Sequence, residues 1–477
     1  MLKKFFCGSC LLVIILVIGF IYFAFHGGKT FISEKIISTD FVKQSVGEEN
    51  KNLLKLLPQV LGFTKPLTYL LLFQNNTEMR PSGGFIGSYA VIKMDKGEMQ
   101  LIKVEGTEVL DKQAPENFKI VPPKPISDFL DVDRWYFRDS NWSPDFSESA
   151  KKALELYKGE NGVSANDIQA VIAITPTVLE ELLKLTGPVK IGNEEYSAEN
   201  FTSKLEYEVE YGYKEKGISF LDRKDIMEPL MLTILNKIKN GIFINFKQYS
   251  TVLTKLADEK QILFYAEDDN LMQVIKDKNW AGEVKQTEGD YLLWVDANMV
   301  ALKTDFALKR TLHYSLEKNL SGKWLAKAEM LYDHQGKYDW RTSRYRTYAR
   351  VFVPTGSELV AVDGAVKWDN TDKTTSTVDQ GEELGKKWFG TFVAIEPGKT
   401  GVLSFYYLLP DNISKKIDSG TYKLLVQKQA GTIDHGLTLD LNFGTNIGTA
   451  EPAGVVEKSR YAYDGDLRVD RFFEIGF

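Results

Sequence analysis

YLLLFQNNTEMRPSGGFIGSYAV, residues 69–91, is the stretch from which the fold is read. Tyr69 to Phe73 is an apolar run, closed by Gln74, short enough for one buried strand and rich in residues that suit a sheet. The chain then turns polar through Asn75, Asn76, Thr77 and Glu78, passes Arg80, Pro81 and Ser82, and reaches the Gly83–Gly84 pair. A second, alternating apolar run starts at Phe85. Strand, polar glycine-containing loop and strand is how an α/β or α+β domain presents a ligand at a sheet edge. Glycines allow positive φ and outward N–H groups, and Arg80 adds a fixed fork of donors, a combination that suits a carboxylate or phosphate. Asn75, Asn76, Glu78, Gly83 and Gly84 are therefore candidate substrate-binding residues, and Arg80 a candidate catalytic one. A turn made by Gly83–Gly84 and held by an Arg80–Glu78 ion pair explains the same residues structurally.

Working outward, Phe85–Met94 alternates to the turn Asp95-Lys96-Gly97, and Met99–Val104 returns, which predicts an antiparallel hairpin. Residues 112–125 carry four prolines and little periodicity, and predict a long loop. It delivers Trp135-Tyr136-Phe137-Arg138-Asp139-Ser140-Asn141-Trp142-Ser143-Pro144-Asp145-Phe146, dense in aromatics and in polar groups that bind anions or metals. A helix follows from Ser147, with Asp145 and Glu148 spaced as a capping box. Ile168–Ile174 reads as a buried strand, Pro176 as the first position of a helix, and Gly187-Pro188 as its stop before a short strand at Val189–Ile191. That is a βαβ rhythm, a sheet covered by helices. Residues 197–279 read as mainly helical, and Tyr291–Val295 as the strand that closes a first domain, 66–302. Beyond about 303 the helical period is replaced by alternating runs, among them Thr311–Leu316, Tyr345–Val353, Gly401–Leu408 and Tyr422–Gln427. The expected architecture is an α/β (α+β) domain with a mixed sheet, then an antiparallel β-sandwich over 303–477.

At 477 residues the chain has room for more than one core, and a net charge of −6 with a pI of about 5.6 excludes a nucleic-acid binder. Lys3 and Lys4 precede an almost unbroken apolar run from Phe5 to Phe25, long enough to cross a bilayer once. With no small-x-small site at its end, it reads as an uncleaved signal anchor, with a cleaved signal peptide as the alternative. The flanking lysines favour a cytoplasmic N-terminus. The expected organisation is a cytoplasmic tip and transmembrane anchor over 1–28, a linker helix over 29–65, and the bulk of the chain outside the cytoplasm on a single-pass cell-membrane protein. Cys7 and Cys10 both fall inside the apolar run, where they act as small apolar residues, so the remainder holds itself together without disulfides.

The four histidines are His26, His313, His334 and His435, which places none in the first domain and argues against a histidine triad or zinc site there. Phosphate-loop, dinucleotide and nucleophile-elbow motifs are absent from the sequence. What remains is Arg80 with Gly83–Gly84, and Arg138-Asp139-Asn141-Trp142 with Asp145. If both loops meet at one sheet end, two guanidinium groups would grip a phosphate, with Arg138 and Asp139 joining Arg80 as catalytic residues and Asn141 and Trp142 binding substrate. Asp145 is then a candidate ligand for Mg²⁺, the only cofactor the set suggests. Such a site suits phosphoryl transfer, which depends on positioning and charge neutralisation. Against it stands an Arg138–Asp139 structural pair beneath packed tryptophans.

QNNTEMRPSGGFIGSYAV, RDSNWSPDF, AVIAITPTVLEELLKLTGPV and YKLLVQKQAGT together resemble a bacterial membrane-anchored family, domain-of-unknown-function family 4012. More distantly, the first domain is similar to the LytR–CpsA–Psr enzymes in its order of anchor, helix, strand and hairpin and in the segment Ile168–Val189. Those enzymes transfer glycopolymers from lipid pyrophosphate carriers to the cell wall. Their strand-end Asp, a magnesium ligand, would fall near Asn75 or Asn76, and their Arg-Asp near Val104–Gly106, where no arginine stands. The resemblance implies a cell-envelope protein that transfers or binds a polyprenyl-pyrophosphate-linked glycopolymer. The competing expectation is a non-catalytic module that binds cell-wall polysaccharide or a partner, or serves as an envelope scaffold.

Overall fold

The computed structural model describes residues 56, 58–242, 245–367 and 377–477. The apolar run Phe5–Phe25 with its cysteines, and most of the linker helix, lie outside the described residues. Among the described residues no helix is long and apolar enough to cross a membrane. Residues 58–60 are helical, and Val60 and Leu61 are buried in the first core.

The first unit is built on a five-stranded sheet in the order β3-β2-β1-β4-β7, with β1 Leu67–Asn75, β2 Phe85–Asp95, β3 Glu98–Gly106, β4 Ile168–Ile174 and β7 Ile262–Ala266. The hairpin β2–β3 is antiparallel, as its turn predicts, and β1 pairs antiparallel with β2 and parallel with β4. Period-two alternation along β1 explains the layering. Leu70 and Leu72 face a core made with helices α1 (Thr107–Gln113) and α3 (Phe146–Gly159), while α2 (Lys124–Leu130) packs elsewhere, toward the second unit. Tyr69 and Leu71 face the opposite core, with α4 (Pro176–Thr186), α5 (Phe201–Tyr207), α6 (Met227–Ile242), α7 (Phe246–Asp258) and α8 (Asp269–Asp277). The sheet is mixed and covered by helices on both faces.

The local signals hold where they are strong. Asp145 caps α3 by accepting from the Glu148 N–H, Pro176 opens α4, and Gly187 ends it at φ +75°. The βαβ expectation does not hold in full: β5 (Val189–Ile191) pairs with β6 (Glu194–Tyr196) as a separate hairpin, and the neighbour of β4 on the side away from β1 is β7, running antiparallel.

The second unit begins earlier than position 303. β8 (Asp290–Asn298), expected to close the first domain, is buried along its whole length in the middle of a seven-stranded sheet. That sheet runs β13 (Asp379–Glu383), β14 (Lys386–Ile395), β11 (Tyr345–Pro354), β8, β16 (Thr421–Gln427), β21 (Arg471–Gly476) and β18 (Thr449–Glu451). A second seven-stranded sheet runs β12 (Glu358–Asp363), β15 (Thr400–Leu408), β10 (Trp324–His334), β9 (Leu308–Lys318), β17 (Gly436–Asn442), β20 (Arg460–Asp466) and β19 (Val455–Glu457). Their facing side chains, including Leu292, Tyr314, Phe389 and Phe405, make one core, closed at one end by α9 (Asp411–Asp418). The sheets are mixed, not purely antiparallel: β16 pairs with β8, and β17 with β9, in parallel.

Candidate functional site

The two loops singled out in the sequence do meet, but inside the protein. Arg80 is 5% exposed and Asp139 3%. The Arg80 guanidinium donates to Asp139 Oδ1 at 3.4 Å and to the Asn298 carbonyl at 2.8 Å, contacts Glu78 at 3.5 Å, and lies over the Phe85 ring. Arg138 approaches Asp139 Oδ2 at 3.5 Å and Asp111 at 3.1 Å, and stacks on Tyr136. The anion between the two arginines is therefore Asp139's own carboxylate. The glycine pair turns inward too. Gly83 N–H donates to the Arg80 carbonyl at 3.1 Å, and the Gly84 carbonyl accepts from Asn141 Nδ2 at 2.7 Å.

These loops weld the first unit to the second. Asn76 Nδ2 donates to the Gly431 carbonyl at 3.0 Å, and Gln429 Nε2 reaches the carbonyls of Asp296 at 2.8 Å and Arg80 at 3.2 Å. Trp142 is buried beneath the Arg350 guanidinium, which also donates to the Trp142 carbonyl at 2.8 Å. Asp145 spends both oxygens on backbone donors, Oδ1 on Glu148 at 3.2 Å and Oδ2 on Val284 at 2.9 Å. Burial pushes its carboxyl up to about 6 against those two bonds. Each oxygen serves a backbone donor and the side chain is buried in the helix cap, a structural role in place of the expected Mg²⁺ ligand. Among the described residues no group of three or more His, Cys, Asp or Glu side chains is disposed to hold a metal ion.

The open site lies beside this seam, at the end of β1 and β4. A cavity of about 240 Å³ has Asn75, Glu78, Glu206, Glu210, Arg223, Lys224 and Lys303 among its lining residues. Asn75 and Glu78 are thus the sequence candidates that the structure places in the lining of this cavity, the polar part of which is called its mouth below, while Asn76, Gly83, Gly84, Asn141 and Trp142 serve the seam. Beneath the mouth a second cavity of about 130 Å³ runs between the sheet and α4, α6 and α7, lined by aliphatic and aromatic side chains alone. Phe73, Ile174, Leu179, Phe201 and Met227 line both, so the two cavities share a wall: the first (the vestibule) sets charged and amide groups in a mostly apolar lining, and the second (the tunnel) is apolar throughout.

Charge at the mouth is balanced. Glu206 accepts from Arg341 Nε at 2.6 Å and from Asn75 Nδ2 at 2.9 Å, and Thr77 Oγ1 also donates to it. Lys303 lies 3.3 Å from Glu78 and 3.4 Å from Glu210. Burial works to lower the Lys303 ammonium, and these two carboxylates outweigh it, holding its pKa above the ordinary lysine value. Lys224 and Arg223 share Glu108, at 2.6 and 3.0 Å, and burial draws Lys224 below the ordinary value. Sequence reasoning missed Glu206, Glu210, Arg223, Lys224 and Lys303. They come from a helical stretch and from the loop after β8, and no local motif marks them.

No curated protein matches the chain. Among solved structures it is similar to the lpg2210 protein of Legionella pneumophila, at 10% identity and a TM-score of 0.26, over 39% of this chain and 71% of that one. The Lin1025 protein of Listeria innocua has 12% identity and a TM-score of 0.24, over 46% and 79%. An M1 zinc metallopeptidase of Deinococcus radiodurans has 13% identity and a TM-score of 0.18, over 36% of this chain and 42% of that one. Likenesses at this level carry no argument about this chain. The segment from β1 to Glu210, which holds Asn75, Glu78, Glu206 and Glu210 of the mouth, is another matter: residues 65–210 match the model of a family described as a protein of unknown function (DUF4012), and that match supports placing the segment in this family.

Proposed function

We propose that the first unit binds a lipid-linked ligand, holding its apolar chain in the tunnel and its head at the mouth. The observation that carries this reading is that a cavity with charged groups in its lining shares a wall with a wholly apolar cavity between sheet and helices. Cores normally close to near-crystalline density, so an open channel lined by aliphatic side chains suits an elongated apolar guest. Each methylene it buries contributes about 0.8 kcal/mol. The resemblance to the LytR–CpsA–Psr enzymes supports a polyprenyl chain, and the apolar run Phe5–Phe25 supports an anchored protein that meets such carriers at the outer face of the cell membrane. Binding is favoured over transfer because Arg80, Arg138 and Asp139 are committed to one another in the seam.

Leu179 borders both cavities and is half-buried, so a larger side chain there obstructs the passage. Detergent-solubilised full-length protein is expected to retain a polyprenyl pyrophosphate, and Leu179→Trp to retain it at least about tenfold more weakly, a loss of about 1.4 kcal/mol. Equal retention by the two folded proteins, or none by the wild type, sinks the reading.

A further inference from the structure

Beyond the mouth, α5 runs into a π-helical turn, Glu208–Gly212. Such turns are uncommon and concentrate at functional sites. This one carries Glu210 to the cavity lining; Tyr211 within it is 40% exposed, and Tyr207, the last residue of α5, is 36% exposed. Their rings lie nearly parallel, 19° apart in plane with centroids at 6.2 Å. Trp340, from the loop between β10 and β11, sets its half-buried ring almost perpendicular to both, 5.6 Å from each. The Trp340 loop is held at the rim by two bonds. The Lys303 N–H donates to the Arg341 carbonyl at 3.0 Å, and Arg341 Nε donates to Glu206 at 2.6 Å.

We infer that Tyr207, Tyr211 and Trp340 form a saccharide subsite at the rim of the tunnel, which takes the sugar head of the lipid-linked ligand. Three clustered aromatic side chains left accessible beside a cavity mark a contact surface. Tyr and Trp offer a flat apolar face with a polar edge, which matches the two sides of a pyranose: C–H groups on its face and hydroxyls around its rim. Glu210, which lines the cavity one residue before Tyr211, is an acceptor for those hydroxyls. The vestibule sets Glu78, Glu206 and Glu210 against Arg223, Lys224 and Lys303, and this balance suits a neutral, hydroxyl-rich group.

The inference rests on the lipid-linked reading for why a sugar arrives here, but free glycan tests it separately. Neutral hexose and N-acetylhexosamine tetrasaccharides are titrated calorimetrically into full-length protein, alongside polyprenyl pyrophosphate and phosphatidylcholine vesicles. At least one tetrasaccharide is expected to bind the wild type and the Leu179→Trp variant alike, and to bind Tyr211→Ala and Trp340→Ala at least about tenfold more weakly. Lipid retained by the wild type and lost in Leu179→Trp, with no tetrasaccharide bound at about 1 mM, overturns the subsite and leaves the tunnel reading standing. Tetrasaccharide bound with no lipid retained does the reverse. Glycan binding indifferent to both aromatic substitutions also overturns the subsite, as does vesicle binding that depends on Tyr211 in place of glycan binding.

Discussion

Arg80 shows how one side chain can look catalytic and be structural. A guanidinium surrounded by Asp139, Glu78, a backbone carbonyl and the Phe85 ring has little capacity left for a ligand. Removing one partner of a buried pair strands the other's charge, which typically costs about 3–5 kcal/mol. Arg80→Met is therefore expected to lower the unfolding free energy measured in urea by an amount of that order, while lipid retention per folded molecule stays at the wild-type level. A fall in retention without a fall in stability would return Arg80 to the ligand site.

At the scale of elements, the connection between β1 and β2 decides what the first sheet can do. Gly84 sits at φ +148°, and a Cβ there would lie 2.4 Å from the Asn75 carbonyl oxygen and 2.7 Å from the Asn76 nitrogen. Both are backbone atoms of the opposing strand end, so neither yields without moving the strand. Gly84→Ala is expected to destabilise the fold by more than about 1 kcal/mol, measured by thermal unfolding. The Gly84 carbonyl that accepts from Asn141 Nδ2 is displaced in that variant, which couples the loop before α3 to the same change. The hairpin, the α3 cap and both ends of α4 were legible because each depends on a few adjacent residues. β7 was not, because Ile262–Ala266 is five residues of mostly buried sequence inside a helical window, with no turn chemistry of its own.

For the whole molecule, the seam matters more than either unit. Gly431 packs against Gly83 so closely that a Cβ would stand 1.9 Å from the Gly83 carbonyl oxygen, and Lys260 reaches across to Asp470 at 2.6 Å. The two units are expected to unfold together, as one calorimetric endotherm. Two resolved endotherms would show the seam to be weak. Lys428 gives this transition a pH dependence. Its buried ammonium donates to the carbonyls of Thr432 at 2.6 Å and Gln429 at 3.2 Å. Burial first, and the Lys260 charge second, lower its pKa from 10.5 to about 7. The folded value lies below the unfolded one, so the unfolded chain binds more protons between about 7 and 10.5, and stability contributed at this site rises with pH across that window. Lys428→Met is expected to flatten the slope. An unchanged slope would place the titration elsewhere.

The sequence by itself determined what adjacent residues decide: a mixed sheet under helices, a hairpin after the Asn-Glu-Arg-Gly-Gly loop, a capped α3, and β-rich structure toward the C-terminus. Whether the Arg80 and Arg138 loops meet was left open by the sequence, and the structure brings them together on Asp139. Only the tertiary structure decided that this place is an interior. The partners that fill it, Asn298, Gln429, Gly431 and Arg350, lie at least 200 positions further along the chain than the Arg80 and Trp142 groups they meet. β8 joined the second unit for the same reason, because the choice of neighbour depends on β11 and β16 and not on its own residues. The tunnel and its rim are likewise products of packing. Their side chains come from the ends of strands, from helices and from loops far apart in sequence, and long-range burial, which leaves no local pattern, assembles them.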